Sequence, residues 1–233
     1  MSRETKRFFG IIAVLILLSI IVGVIVRNSY TGFKTVKELS KAKNIDDFLV
    51  GVEDSDEELL NSNVKNLDDL EKKSDLIVKV KVSDEKIIEA ADLKTKVKVE
   101  KVIKSDGSDI KKGSDIYIYE MINLSEVEDN FLTHTKYNYL GTGKEYYLCL
   151  NKLKTIKGYK KSEEEKKTYM YSTNYFSAYS ASNNQKAIKL SKNKLYNVEY
   201  KYKNVKNQVI LTSDKKIIEK YNYMKSSFVR KYL

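Results

Sequence analysis

Two side chains in this sequence could carry covalent chemistry, Cys149 and His134. The chain has one cysteine and one histidine. A cysteine attacks as its thiolate, which a neighbouring histidine or arginine stabilises. His134 precedes Cys149 by only fifteen residues, and the one arginine beyond the N-terminal region is Arg230. Cys149 also lies in an apolar strand pattern, where a lone cysteine is usually a small buried hydrophobe. We therefore predict no catalytic residue.

Three other patterns match known ligand-binding motifs only in part. After Gly141-Thr142-Gly143-Lys144, a phosphate-binding loop would continue with Ser or Thr into a helix, whereas Glu145 and a strand pattern follow here. Zinc prefers several His and Cys ligands, and the chain offers one of each. The acidic cluster of residues 53–58 lacks the turn glycine and the spacing of a calcium loop. We predict neither a cofactor nor a metal.

The N-terminal region contains the strongest structural signal. Phe8 to Val26 is a run of nineteen residues without a charge, and Ser19 is its one clearly polar side chain. At ~1.5 Å per residue, a helix of this length nearly matches the ~30 Å hydrocarbon core of a bilayer. The run exceeds the apolar part of a signal peptide, and no small-residue cleavage site follows it. We predict an uncleaved signal anchor that crosses the lipid bilayer once.

The charges around this run do not fix its orientation. Lysines and arginines flank it on both sides. A short N-terminal segment is easily retained, however, and a long domain can be translocated with little regard to its charge. We expect a cytoplasmic N-terminus and an extracytoplasmic C-terminal domain at the cell membrane.

The cysteine content and the distribution of charge characterise the part of the chain after the apolar run. One cysteine allows no intrachain disulfide, which is compatible with the surface of a Gram-positive bacterium. The net charge is +11, but residues 45–75 hold eleven acids against three lysines, and residues 151–233 hold twenty Lys or Arg against six acids. The basic half predicts either a polyanion as ligand, namely an anionic envelope polymer such as wall teichoic acid, anionic lipid or nucleic acid, or a solvated lysine-rich surface. The scarcity of arginine disfavours specific nucleic-acid binding.

Local patterns divide the chain into four parts. Residues 1–28 are the cytoplasmic stub and anchor, and residues 29–73 an acidic stalk. Capping signals at Thr35, Ser55 and Asn66 predict short helices in this stalk. Residues 74–212 form a β-rich domain, and residues 213–233 an amphipathic helix. The apolar stripe of that helix either packs on the domain or lies on an anionic membrane; it comprises Ile217, Tyr221, Met224 and Phe228.

Alternating apolar residues predict the strands of the β-rich domain. The predicted strands cover 76–82, 94–103, 115–120, 144–150, one or two in 168–179, and 198–203. A change of phase between Val99 and Val102 indicates a β-bulge. The tyrosines of the last two segments are either stacking platforms for ligands or half-buried sheet residues. Short strands separated by turn signals favour an antiparallel barrel or sandwich.

The segments SDLIVKVKV, TKVKVEKVIKSDGSDIKKGSDIYIYE and GTGKEYYLCLNKL, within residues 74–153, carry a family resemblance. They resemble exported proteins of Gram-positive bacteria and, more distantly, OB-fold and netrin/TIMP-like barrels. The resemblance implies a mainly β (α+β) extracytoplasmic domain, an OB-like antiparallel barrel with short flanking helices and a C-terminal helix. No site residues carry over from it.

The expected function is a non-enzymatic binding or assembly module at the cell envelope. Two alternatives remain open. The first is a sortase-like transpeptidase or hydrolase, which the chain resembles in having an anchor, an external β-domain, Cys149, His134 and an arginine. The sequence YYLCL, however, replaces the TLxTC of sortases. In the second alternative, the stalk or the C-terminal helix docks another membrane protein, which makes the chain a partner subunit of a complex.

Overall fold

The computed structural model describes residues 3–30, 32–53, 64–89, 92–105, 107–182 and 187–232. The chain divides into two compact units, Met1–Lys34 and Thr35–Leu233. The first contains one apolar helix, and the second is a mixed α+β unit with a large sheet.

Helix α1 (Arg3–Tyr30) contains the predicted apolar run. None of the window Phe9–Val26 is buried against protein. The hydroxyl of Ser19 donates a hydrogen bond to the carbonyl oxygen of Leu15 at 2.9 Å, so this polar group is satisfied within the helix itself. By length and composition, α1 is compatible with a membrane anchor or a signal peptide.

The second unit begins with short helices and continues into strands. Its helices are α2 (Val36–Ala42), α3 (Leu67–Lys73), α4 (Lys192–Tyr196), α5 (Tyr202–Val205) and α6 (Lys215–Tyr232). Its strands are β1 (Leu49–Val52), β2 (Leu76–Glu89), β3 (Asp92–Lys104), β4 (Asp115–Ser125), β5 (Asn130–Thr133), β6 (Glu145–Lys152), β7 (Thr168–Tyr171), β8 (Ala178–Ser180) and β9 (Tyr200–Lys201).

Hydrogen bonding joins these strands into one sheet. Its order is β3-β2-β6-β7-β4-β5-β1-β9, β8 pairs with β6, and a further pairing links β3 to β4. The pairings are antiparallel except for β4 with β7 and β1 with β5, which are parallel.

Most of the predicted strands are confirmed. The predicted bulge is also present: Val80 pairs with Val99 and Lys79 with Lys101, which leaves Glu100 as the extra residue of β3. The segment 168–179 forms β7 and the start of β8. The prediction of a strand over 198–203 is largely wrong, because only the two residues of β9 are extended before α5 begins. The apolar residues Tyr202 and Val205 are buried at helical spacing instead.

Two of the three predicted helix caps are confirmed. The Thr35 hydroxyl accepts the amide hydrogen of Glu38, and the Asn66 side chain accepts that of Asp69. The cap at Ser55 lies outside the described residues, as does most of the acidic cluster of residues 53–58. Strand β1, which the charge pattern assigns to the stalk, pairs with β5 and β9 in the sheet.

The tyrosine-rich segment is part of the hydrophobic core. Its tyrosines are buried, which favours the sheet-residue interpretation over an exposed stacking platform; they are Tyr169, Tyr171, Tyr175 and Tyr179. Helix α6 packs on the same core. Its Phe228 is 0% exposed and lies 5.2 Å from the ring of Tyr147 and 5.4 Å from that of Tyr179. The apolar stripe of this helix therefore faces protein.

Replacing Phe228 tests this packing. We expect Phe228→Ala to lower the free energy of unfolding by about 3–5 kcal/mol, because it leaves a cavity between α6 and the sheet. Tyr223→Ala is the matched control, since Tyr223 is on the same helix and 61% exposed; it should change stability by no more than about 0.5 kcal/mol. Urea unfolding of the reconstituted full chain, followed by near-UV circular dichroism, measures both. Equal losses would contradict the observed packing of α6.

Candidate functional site

A cleft of about 310 Å³ lies where β2, β3, β4 and β7 meet. Acidic side chains line one part of it and apolar or aromatic side chains the rest; the lining residues are Glu89, Asp92, Tyr119, Met121, Leu153 and Met170. Small-molecule pockets begin at about this volume, so the cleft has room for one small group.

Strand register brings these residues together. Glu89 and Asp92 are paired at the hairpin between β2 and β3. Tyr119 of β4 pairs with Lys94 of β3 on one side and with Met170 of β7 on the other. The cleft thus combines two hairpin carboxylates with side chains from two neighbouring strands.

A backbone distortion marks the cleft at Met121, whose φ is +53°. Such a left-handed conformation is uncommon for a residue other than glycine and often accompanies a functional constraint. Before Met121, β4 pairs with β3 and β7 through Tyr117 to Tyr119. After it, the strand pairs with β5 from Ile122 onwards. Met121 therefore lies where β4 changes most of its partners.

Lys94 neutralises part of the acidic lining. Its ammonium lies 2.9 Å from Glu89 and 2.6 Å from Glu164. Burial opposes its charge, but the hydrogen bonds with Glu164 and Glu89 raise the pKa of Lys94 overall. The hydroxyl of Tyr119 donates to Glu89 at 2.6 Å. This bond and the one from Lys94 lower the pKa of Glu89.

Asp92 is the carboxylate that remains available in the cleft. Its side chain forms no hydrogen bond or ion pair with any residue that the structure describes. Burial raises the pKa of Asp92 above its ordinary value, while the charge of His134 lowers it and that of Glu53 raises it. A partly buried carboxylate without a partner gains most from a ligand that supplies a positive charge or hydrogen-bond donor.

His134 lies beside this carboxylate and forms its own pair. Its Nδ1 is 2.5 Å from Oε2 of Glu53. Parallel pairing of β1 with β5 produces this contact, since the Glu53 amide donates to the carbonyl oxygen of Thr133 at 3.1 Å. Lys136 also donates a hydrogen bond to the Glu53 carbonyl oxygen.

Cys149 lies in different surroundings from His134. The cysteine is 0% exposed in the hydrophobic core, and its backbone amide donates to Ser177 at 2.7 Å. Burial raises the pKa of the Cys149 thiol well above its ordinary value, which disfavours the thiolate. The groups that affect this thiol are Ser74, Glu71 and Lys104. The geometry thus gives no support to a nucleophile and base formed by these two residues.

A second cluster of ionisable groups is completely buried. The Lys86 ammonium lies 3.0 Å from Glu120 Oε1, and their side chains are 1% and 0% exposed. Lys86 also donates to Thr95 at 3.2 Å and to the carbonyl oxygen of Leu140 at 2.6 Å. Glu120 in turn accepts the Leu140 amide at 2.7 Å and the Thr95 hydroxyl. Burial lowers the pKa of Lys86, against the opposing effect of Glu120.

This buried pair is structural, because every polar atom of the two side chains is used by neighbouring protein groups. Within the part of the chain that the structure describes, no group of three or more His, Cys, Asp or Glu side chains is arranged to hold a metal. Sequence reasoning missed both Lys86 and Glu120. The strand alternation could have found Glu120, which keeps the phase of Ile118. It could not have found Lys86, because the register shifts between Val82 and Lys86 and Asp84 between them is exposed.

Removing one partner tests the buried pair. We expect Lys86→Met to lower the free energy of unfolding by about 3–5 kcal/mol, because it leaves the Glu120 charge buried without compensation. Adding Glu120→Gln to this variant should recover part of the loss. Lys37→Met is the control: Lys37 forms an ion pair with Asp84 in which both side chains are 66% exposed, and its loss should cost about 1 kcal/mol or less. Urea unfolding checks all three. A loss in Lys86→Met no larger than in the control would contradict the assigned role.

Comparison with known proteins identifies no family for this chain. No protein-family model matches the sequence, and no curated protein is similar enough to count as a relative. The functional proposal therefore rests on the cleft and its charges.

Proposed function

We propose that this chain is a single-pass membrane protein of a Gram-positive bacterium that displays a non-enzymatic binding or assembly module at the cell envelope. The apolar helix α1 supports the anchor. The observation that carries the binding function is the Asp92 carboxylate, which has no hydrogen-bond or ion-pair partner among the described residues. It lies in a cleft whose other lining residues are Glu89, Tyr119, Met121, Leu153 and Met170.

The module is an OB-like barrel in this proposal. The pairings β3–β2, β2–β6, β6–β7, β7–β4 and β4–β3 return to their starting strand, which supports closure of a five-stranded ring. OB-folds bind ligands on their second and third strands and on the loops between the first two and last two strands. The cleft has a similar position in the ring, since it is lined from β3, β4, the β2–β3 hairpin and Leu153 after β6.

The ligand group is a primary amine on a short apolar stem. Asp92 supplies the anionic partner of the ammonium, and Met121, Leu153 and Met170 supply contacts for its methylene groups. Lys94 already binds Glu89 and Glu164, and the Tyr119 hydroxyl also donates to Glu89. A second amine therefore finds its unoccupied acceptor at Asp92, which has no such partner among the described residues. A lysine side chain of a partner protein, or an amino group of an envelope molecule, has this chemistry.

Methionine methyl resonances report on this cleft. The chain has four methionines, of which Met121 and Met170 line the cleft and Met224 is on the buried face of α6. We expect butylammonium to shift the ¹³C-methyl signals of Met121 and Met170 and to leave that of Met224 unchanged. Asp92→Asn should abolish the shift. The apparent affinity should fall as the pH decreases through the raised pKa of Asp92, because protonation removes the negative charge.

Butyrate and Asp75→Asn are the matched controls. Butyrate has a similar apolar stem with the opposite charge, and Asp75 is exposed outside the cleft. Butyrate should produce no comparable shift, and Asp75→Asn should bind butylammonium like the unaltered chain. Equal shifts by butyrate and butylammonium, or full binding by Asp92→Asn, would contradict the amine site.

Cysteine labelling tests the proposed orientation. Cys149 is buried, so it contributes little background. We expect a membrane-impermeant maleimide to label Lys216→Cys in intact cells, because Lys216 is exposed in the second unit. Ser2→Cys should react only after the membrane is permeabilised. The reverse pattern would place the large unit in the cytoplasm.

A further inference from the structure

The loop between β6 and β7 has an unusual surface. Residues 152–167 contain seven lysines and three glutamates. Residues 154–160, which read KTIKGYK, are all exposed, and we call this segment the basic tip. At its centre Ile156 is 84% exposed, and Tyr159 follows at 57%.

A tight turn holds Ile156 in this position. The Tyr159 amide donates to the Ile156 carbonyl oxygen at 3.0 Å, and Gly158 has a φ of +89°. That φ suits glycine at the third position of a β-turn. The Tyr159 hydroxyl donates to Glu165 at 2.6 Å, which ties the turn to the rest of the loop. The exposed isoleucine is thus presented by an ordered turn.

The lysines of the basic tip are available for a partner. Lys154, Lys157 and Lys160 form no ion pair or side-chain hydrogen bond with the described part of the chain. Lys161 and Lys166, just beyond the tip, bind the Leu153 carbonyl oxygen and Glu163, both at 2.5 Å. The tip therefore combines three unpaired ammonium groups with a branched apolar side chain.

We propose that the basic tip docks on the anionic surface of a lipid bilayer. Lysines beside a membrane are attracted to anionic headgroups, and an apolar side chain between them enters the boundary with the acyl chains. A soluble polyanion would satisfy the lysines but offers no apolar phase for Ile156. The two kinds of group together favour the bilayer.

Another loop of the same unit provides a natural contrast. Val127, in the turn between β4 and β5, is 95% exposed. Its neighbours are Glu126, Glu128 and Asp129, of which Asp129 pairs with Lys43. The turn keeps a negative charge, so an anionic surface repels it. Val127 is a control for apolar exposure without the complementary charge.

Single tryptophans measure the docking. The chain has no native tryptophan, so Ile156→Trp and Val127→Trp each introduce one probe. The full chain is held in phosphatidylcholine nanodiscs and mixed with separate vesicles whose acyl chains are brominated. We expect vesicles with equal phosphatidylglycerol and phosphatidylcholine to quench Ile156→Trp, and pure phosphatidylcholine vesicles to quench it little. Val127→Trp should remain unquenched by both. Equal quenching at the two positions would overturn the proposal.

Replacing lysines tests whether docking depends on the basic tip itself or only on the net charge of the chain. In the Ile156→Trp chain, replacing Lys154, Lys157 and Lys160 by Gln should weaken binding to anionic vesicles by about 100-fold, at a factor of about 5 per lysine. The control replaces Lys111, Lys112 and Lys189, which are exposed outside the loop. It removes the same charge and should weaken binding less than about threefold. Equal losses in the two triple variants would overturn the proposal.

Further measurements distinguish docking on a bilayer from binding of a soluble polymer. They also show whether docking depends on the proposed amine site in the cleft. We expect Ile156→Ser, without a tryptophan, to reduce co-flotation with anionic vesicles. If Ile156→Ser retained full co-flotation while soluble poly(glycerol phosphate) bound the unaltered chain as tightly as the vesicles do, the polymer would replace the bilayer as partner. Asp92→Asn should leave co-flotation unchanged, because docking does not depend on the amine site. Failure of one proposal is thereby distinguishable from failure of the other.

Discussion

The buried ion pair between Lys86 and Glu120 is the constraint on which the rest of this unit depends. It joins β2 to β4, and Thr95 adds β3 to the same network. The backbone of Leu140 closes it by accepting from Lys86 and donating to Glu120. Because side chains alternate along a strand, an inward Glu120 directs Tyr119 outward. The interior pair and the exterior cleft are therefore two consequences of one strand register.

The cleft itself depends on an irregular strand. Around the left-handed Met121, β4 exchanges its pairing with β7 for one with β5, while its pairing with β3 continues to Asn123 after a register shift. The cleft lies beside this change of partners and the β2–β3 hairpin. Lys94 forms ion pairs with Glu89 and Glu164 there, which leaves Asp92 as the carboxylate without an ion-pair or hydrogen-bond partner among the described residues.

Elements that depend on local interactions were predictable. The alternation that begins at Leu76 identified β2, and the loss of phase after Val99 identified a bulge. The caps at Thr35 and Asn66 followed from a polar side chain next to free amides. The cleft was not predictable in this way. Its residues come from four strands and from the loop after β6, and nothing in the spacing of Asp92 or Met121 shows that they meet.

The sequence by itself determined the apolar helix, most strand positions and the amphipathic C-terminal helix, because hydrophobic periodicity and end caps act within a few residues. Tertiary structure decided which charges meet. His134 pairs with Glu53, 81 residues away, and Lys86 with Glu120, 34 residues away. Such contacts depend on register, and a one-residue slip turns every side chain to the opposite face of the sheet. Register is fixed when the whole core packs, so local pattern alone cannot supply it.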